Sequence, residues 1–159
     1  MATNATPASE PQASVGTVGR LTGALFDPKP TFEDIARRPS WIAPLLLLCL
    51  LSLVITYLFG QRVGWRGFME KQLAKSSRVQ QLPPERREEI LEQQTKVAPI
   101  IGYVLGPVAI VVVALVIAGV LMGVFDGIAG AGLNFGTSLA IVSHAWMPGV
   151  VAQLLGILT

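Results

Sequence analysis

The 159-residue sequence has few of the side chains that catalysis or metal binding requires. It contains one cysteine and one histidine, and 14% of its residues are charged, where soluble domains carry roughly 25%. One cysteine excludes an internal disulfide, and Cys49, inside an apolar run, is interpreted as a small apolar residue. A single histidine excludes a multi-histidine metal site. We therefore expect no metal, no cofactor and no enzymatic activity.

Nucleic-acid and nucleotide binding also find little support. The formal net charge is +2, and we find no clustered basic footprint typical of a nucleic-acid-binding domain. The glycine-rich segment "GVFDGIAGAGLNFG" follows an apolar run rather than a strand, and no lysine follows its glycines. We expect no nucleic-acid partner, and the sequence identifies no small-molecule ligand.

We expect no secretory signal at the amino terminus, because residues 1–19 lack a basic segment followed by an apolar stretch. Residues 1–19 are rich in Ala, Ser, Thr and Pro and offer too little apolar surface to offset the entropy of ordering. They are predicted to be a disordered tail. Residues 20–159 are predicted to form one membrane domain.

Long apolar runs are abundant. Residues 41–60 carry no charged side chain, and about twenty helical residues cover a hydrocarbon core of roughly 30 Å. Residues 99–125 are also uncharged and are longer than a bilayer requires. Residues 137–159 form a third candidate span, although it includes His144 and Pro148. The predicted fold is an all-α, multi-pass transmembrane bundle with short interfacial amphipathic helices.

The junction before the first span is rich in proline and charge. Pro28 and Pro30 predict an extended segment, after which Thr31 is expected to cap a short helix. Pro39 ends that helix, and Ser40 is expected to cap the span. Three interfacial anchors are predicted here, namely Arg37, Arg38 and Trp41.

Residues 61–98 form a charged loop that holds eight lysines and arginines. Trp65, Phe68, Met69 and Leu73 recur at helical spacing and predict an amphipathic helix on the membrane surface. A second helix is predicted after Pro83 and Pro84. The loop is interpreted either as a solvated helical hairpin or as a docking surface.

Small residues recur along the second span. Gly119, Gly123 and Gly127 are spaced by four, and small residues at this spacing let membrane helices approach closely. They predict a packing seam against another helix, in this chain or in a second copy.

His144 allows two interpretations. An ionisable residue inside a membrane often marks a transport pathway, which would make His144 a polar site. Alternatively, it is satisfied locally by Ser143, a neighbouring helix or water. Ser52, Thr56 and Gln153 are further polar residues in the spans, and they are too few to outline a water-lined route.

Three segments resemble the Yip domain family of Ypt/Rab-GTPase-interacting membrane proteins, especially its bacterial members. They are "DPKPTFEDIARRPSWIAPLLL", "PPERREEILEQQTKVAP" and "SLAIVSHAWMPGVV". The resemblance implies a bundle of five membrane helices with a cytosolic tail, and eukaryotic members are associated with Rab GTPases and vesicle trafficking. A chain with three spans is then expected to be a short relative or a fragment. The resemblance also implies a bacterial cytoplasmic membrane as the location.

These observations predict a structural or interaction role, such as organising a membrane or a trafficking-like function. The expected partners are the lipid bilayer and either other membrane proteins or a second copy bound through the second span. The alternative is a small transporter or accessory channel subunit with a polar site near His144.

Two signals disagree on topology. The basic loop 61–98 favours placing that loop in the cytoplasm. The resemblance, and the lack of a signal that would move the tail across the membrane, favour a cytoplasmic tail. We predict the tail inside.

Overall fold

The computed structural model describes residues 16–158, and these residues form eight helices and no strand. The helices are α1 (Thr17–Phe26), α2 (Pro28–Arg37), α3 (Ile42–Arg62), α4 (Trp65–Ala74), α5 (Ser77–Gln80), α6 (Pro84–Phe125), α7 (Phe135–Ala145) and α8 (Met147–Leu158). The predicted all-α class is confirmed. Most of the predicted tail lies outside the described residues.

The two amino-terminal helices start earlier than the sequence patterns suggested. α1 begins at Thr17, inside the segment assigned to the tail. α2 begins at Pro28, since the fixed φ of proline suits the first turn, where its missing N–H is not needed. Thr31 therefore lies within α2, and its hydroxyl donates to the Asp27 carbonyl at 2.7 Å. The predicted extended segment and the Thr31 cap were wrong.

Three helical segments are long and apolar enough to cross a membrane, as predicted. They are Ile42–Arg62, Pro84–Phe125 and Phe135–Gly156. The third is divided into α7 and α8 at Trp146. Pro148 has no N–H to donate to the carbonyl four residues earlier, which explains why the helix is interrupted near this position.

The second apolar span and the second loop helix are one continuous helix. α6 has 42 residues, or about 63 Å at 1.5 Å per residue, roughly twice what a hydrocarbon core requires. It includes Pro99 and Pro107 without an interruption. Its apolar part packs against α3 and α7, and α4 packs against it as well. About half of α6 is therefore available to project beyond the bilayer.

A small apolar core forms where α3, α6 and α7 meet. It consists of Leu45, Ala114, Ala118, Leu139 and Val142. Both alanines have no exposed surface, and their small side chains let the helix backbones approach closely. The packing seam of α6 inside this chain therefore includes this alanine pair.

Candidate functional site

Arg20 forms the most extensive polar cluster before the first span. Its side chain is largely buried, with 7% of the residue exposed. Nε donates to Asp34 Oδ2 at 2.8 Å, and a second guanidinium nitrogen donates to the Arg38 carbonyl at 2.9 Å and to Ser40 Oγ at 2.7 Å. We call these four residues the Arg20 clamp. The clamp ties α1 to α2 and to the connection that leads into α3.

The surroundings of Gly23 show how closely α1 folds back on α2. Gly23 lies against Thr31, and a Cβ at Gly23 would collide with the Thr31 hydroxyl. The prediction that Ser40 caps α3 was wrong: the residue before that helix is Trp41, and the Ser40 hydroxyl accepts from Arg20. The α1–α2 unit is therefore a packed part of the membrane domain.

This unit lies against α7, the helix that carries His144. α1 and α2 both contact α7, and α1 also contacts α8. His144 is 1% exposed, and its Nδ1 lies 2.8 Å from the Ala140 carbonyl oxygen. Arg20 lies on α1, one of the helices that pack against the helix of His144.

The other buried polar residues of α7 are satisfied by their own helix. Ser138 Oγ donates to the Asn134 carbonyl, and Ser143 Oγ donates to the Leu139 and Ala140 carbonyls. Among the described residues, no group of three histidine, cysteine or acidic side chains could hold a metal ion. The polar groups of α7 are arranged as in a packed helix, since each of these hydroxyls turns back onto its own backbone.

Sequence reasoning missed Arg20, although a signal existed. It is the only charged residue between Glu10 and Asp27. A lone arginine on a helix of small and apolar residues requires a carboxylate partner if that helix packs. The pattern does not indicate which acidic residue provides it.

His144 is predicted to be dispensable for folding. His144→Gln should lose less than about 3 kcal/mol of stability, because the ring bonds to its own helix rather than to a polar network. Thermal unfolding in detergent measures the effect, with Ser143→Ala as the matched α7 variant. A larger loss at His144 would mean that the ring holds together more than its own helix.

The charged loop forms a helical hairpin in which α4 packs on α6. Trp65 and Phe68 make edge-to-face contacts with Phe59, near the end of α3, at centroid distances of 5.4 and 5.1 Å. An ion pair also joins the two helices, since Arg66 lies 2.5 Å from Glu88. The hydrogen bond to Glu88 raises the pKa of the Arg66 guanidinium. The predicted amphipathic helix is present, and much of its apolar face is covered by the chain itself.

A cleft of about 570 Å³ opens between the helices of this hairpin. Its lining combines apolar side chains with charges of both signs. The lining residues are Glu70, Leu73, Ala74, Val79, Gln80, Pro84, Arg87, Glu88 and Leu91.

The glycine series of the second span has no partner within the described residues. A Cβ at Gly119 or Gly123 would meet nothing within 4 Å. Gly127 lies beyond the end of α6, where a Cβ would be 2.5 Å from the Gly123 carbonyl oxygen. A seam formed by these glycines thus stays a prediction for contact with a second copy.

Self-association through this seam is tested with two substitutions on α6. Gly123→Leu should weaken a dimer, because bulk is added where two backbones would approach. Val112→Leu is the control, since Val112 is already an exposed branched residue. Oligomeric state in detergent is measured by light scattering. The same distribution of states for both variants would exclude the seam.

The predicted interfacial anchors all lie near the start of the first span. Arg37 is exposed and lies 3.8 Å from Glu33 one turn earlier. The Arg38 side chain is also exposed, while its carbonyl accepts from Arg20. Trp41 is 39% exposed and directly precedes α3. Their positions suit contact with a bilayer surface, and this role stays a prediction.

Three apolar helical segments and amphipathic helices at their ends define an integral, multi-pass helical membrane protein. The comparison with protein families agrees: the model of the Yip1 domain matches residues 22–159. The chain therefore belongs to the Yip1 domain family, as the resemblance implied. Searches among curated proteins and among solved structures found no match.

Proposed function

We propose that this protein is a membrane scaffold, with an interaction role in a bacterial cytoplasmic membrane. Its spans anchor a helical hairpin, α4 to the first half of α6, which it presents to other proteins. The proposed partners are other membrane proteins or a second copy of the chain. No chemical step is required for this role.

The continuity of α6 is the observation that carries the proposal. A helix of about 63 Å joins the apolar span to the exposed, charged segment without an interruption. Because α4 is held against it by Trp65 and by the Arg66–Glu88 pair, the hairpin has a defined orientation. A protein-binding surface requires a fixed orientation of this kind, whereas a flexible connecting loop does not.

The test uses a photo-crosslinking amino acid on the projecting half of α6. Gln93 is exposed there, and Val116 is the matched exposed position within the apolar half. We expect discrete protein adducts from Gln93 in intact cells and lipid adducts from Val116. If both positions yield only lipid adducts, the hairpin does not present a protein-binding surface.

Reconstitution into proteoliposomes distinguishes the scaffold from the alternative role, a small transporter or accessory channel subunit. It requires a polar route near His144, whereas Ser138 and Ser143 bond to the α7 backbone. If the protein is a scaffold, we expect no His144-dependent flux of solute into proteoliposomes. Flux that His144→Gln abolishes would favour the transporter.

Topology is tested by cysteine labelling in a Cys49→Ala background. Single substitutions are placed in the tail (Ser14→Cys), in the hairpin (Ser77→Cys) and in the α6–α7 connection (Ala131→Cys). Ser77 and Ala131 are both exposed. With the tail inside, an impermeant maleimide should label only the hairpin on whole cells. Labelling of the other two sites instead would show that the basic loop sets the orientation.

A further inference from the structure

Positive charge is concentrated on one part of the hairpin. Residues 61–83 hold five basic residues and one acidic residue, a net charge of +4. Residues 84–98 hold three basic and four acidic residues, a net charge of −1. The two halves of the hairpin therefore differ in charge, which the overall net charge of +2 hides.

Three exposed side chains of the basic half have no counter-charge among the described residues. Lys71, Lys75 and Arg78 form no ion pair with a described carboxylate. On α6, by contrast, Arg86 pairs with Glu89 and Lys96 pairs with Glu92. The first half of α6 is thus largely neutralised internally, whereas the outer side of α4 and α5 is not.

The fold holds these three residues together. Lys71 and Lys75 are four residues apart and lie on one side of α4, which mildly disfavours an isolated helix. Phe68 precedes Lys71 by three residues and Lys75 by seven, so it shares their side of the helix, and its contact with Phe59 holds that side near the end of α3. α5 is tied back to α4 by a hydrogen bond from Gln80 to the Ala74 carbonyl. All three residues are exposed, so their positive charges lie together on a supported surface.

This surface is close to the membrane. α4 begins three residues after the end of α3, and only about 9 Å of helix separates its first residue, Trp65, from Lys71. Lysine and arginine side chains close to a bilayer surface are attracted to anionic headgroups by about 1 kcal/mol each, whichever side of the membrane they lie on. We propose that Lys71, Lys75 and Arg78 form a binding surface for the headgroups of anionic phospholipids. Because the spans already hold the surface at the bilayer, the protein does not have to diffuse to the membrane before it binds these headgroups.

The experiment compares the affinity of the purified full chain for phosphatidylglycerol and for phosphatidylcholine, measured by lipid titration and native mass spectrometry. The triple variant Lys71→Gln/Lys75→Gln/Arg78→Gln should reduce the preference for phosphatidylglycerol. The expected reduction is on the order of 100-fold at low ionic strength, roughly fivefold for each charge removed. High salt should reduce the preference of the unmodified chain in the same direction.

The matched control is Arg86→Gln/Arg87→Gln/Lys96→Gln, which removes the same charge from α6. This variant should keep the preference, and circular dichroism should show that both triple variants retain their helices. An equal loss in both variants would overturn the proposal, since net charge alone would then explain binding. Displacement by inorganic phosphate at matched ionic strength, or preferential binding of polyglutamate, would also overturn it in favour of a free anion or an acidic protein.

Discussion

Replacing Arg20 with leucine should cost about 3 kcal/mol of stability, the low end of the range for breaking a buried ion pair. Arg20→Leu leaves the Asp34 carboxylate without the guanidinium that lies 2.8 Å away. It also leaves the Arg38 carbonyl and the Ser40 hydroxyl without their donor. Thermal unfolding in a mild detergent measures the loss.

Arg37→Leu is the control for this result, because it removes the same charge from an exposed pair. The Arg37 side chain is 64% exposed, so its pair with Glu33 should contribute less than about 1 kcal/mol. Arg20→Leu/Asp34→Leu should recover much of the stability, since an apolar pair avoids the desolvation of two charges. If the two arginine variants lose the same stability, the clamp does not hold α1 in place.

Gly102→Leu should destabilise the hairpin by about 1–3 kcal/mol through overpacking. A Cβ at Gly102 would lie 2.9 Å from the Trp65 ring and 3.2 Å from the Thr56 methyl group. The ring cannot move away easily, because a Cβ on Gly60 would already be 2.7 Å from its indole nitrogen. The measurement is thermal unfolding, together with the accessibility of a maleimide to a cysteine at Leu73.

Gly119→Leu is the matched variant on the same helix. Nothing lies within 4 Å of its Cβ position, and replacing a mid-helix glycine favours the helix. The stability of the monomer should be unchanged or slightly higher, independently of any effect on a dimer formed through the glycine series. Trp65→Ala combined with Gly102→Leu should restore part of the loss, because the clash is then removed. Equal stabilities for the two leucine variants would show that Gly102 does not act through Trp65.

The membrane class of this protein was predictable from the sequence because it depends on composition along the chain. Uncharged runs of about twenty residues must be helical in lipid, where every backbone group needs an internal partner. The hairpin helices were also predictable, since Trp65, Phe68, Met69 and Leu73 recur at helical spacing and Pro84 suits a first turn. The family motifs in the same segments led to the Yip1 domain, which the family comparison confirmed.

Only the tertiary structure determined which neighbouring residues contact each face of a helix. Spacing by four shows that Gly119 and Gly123 suit close approach, but periodicity cannot show which face a neighbouring helix covers. The structure places Gly102 against Trp65 and leaves Gly119 open. The Arg20 clamp depends in the same way on long-range packing, because α1 must fold back across fourteen residues to bring Arg20 to Asp34. Local sequence determined the helices, and side-chain contacts between helices determined where the charges and glycines act.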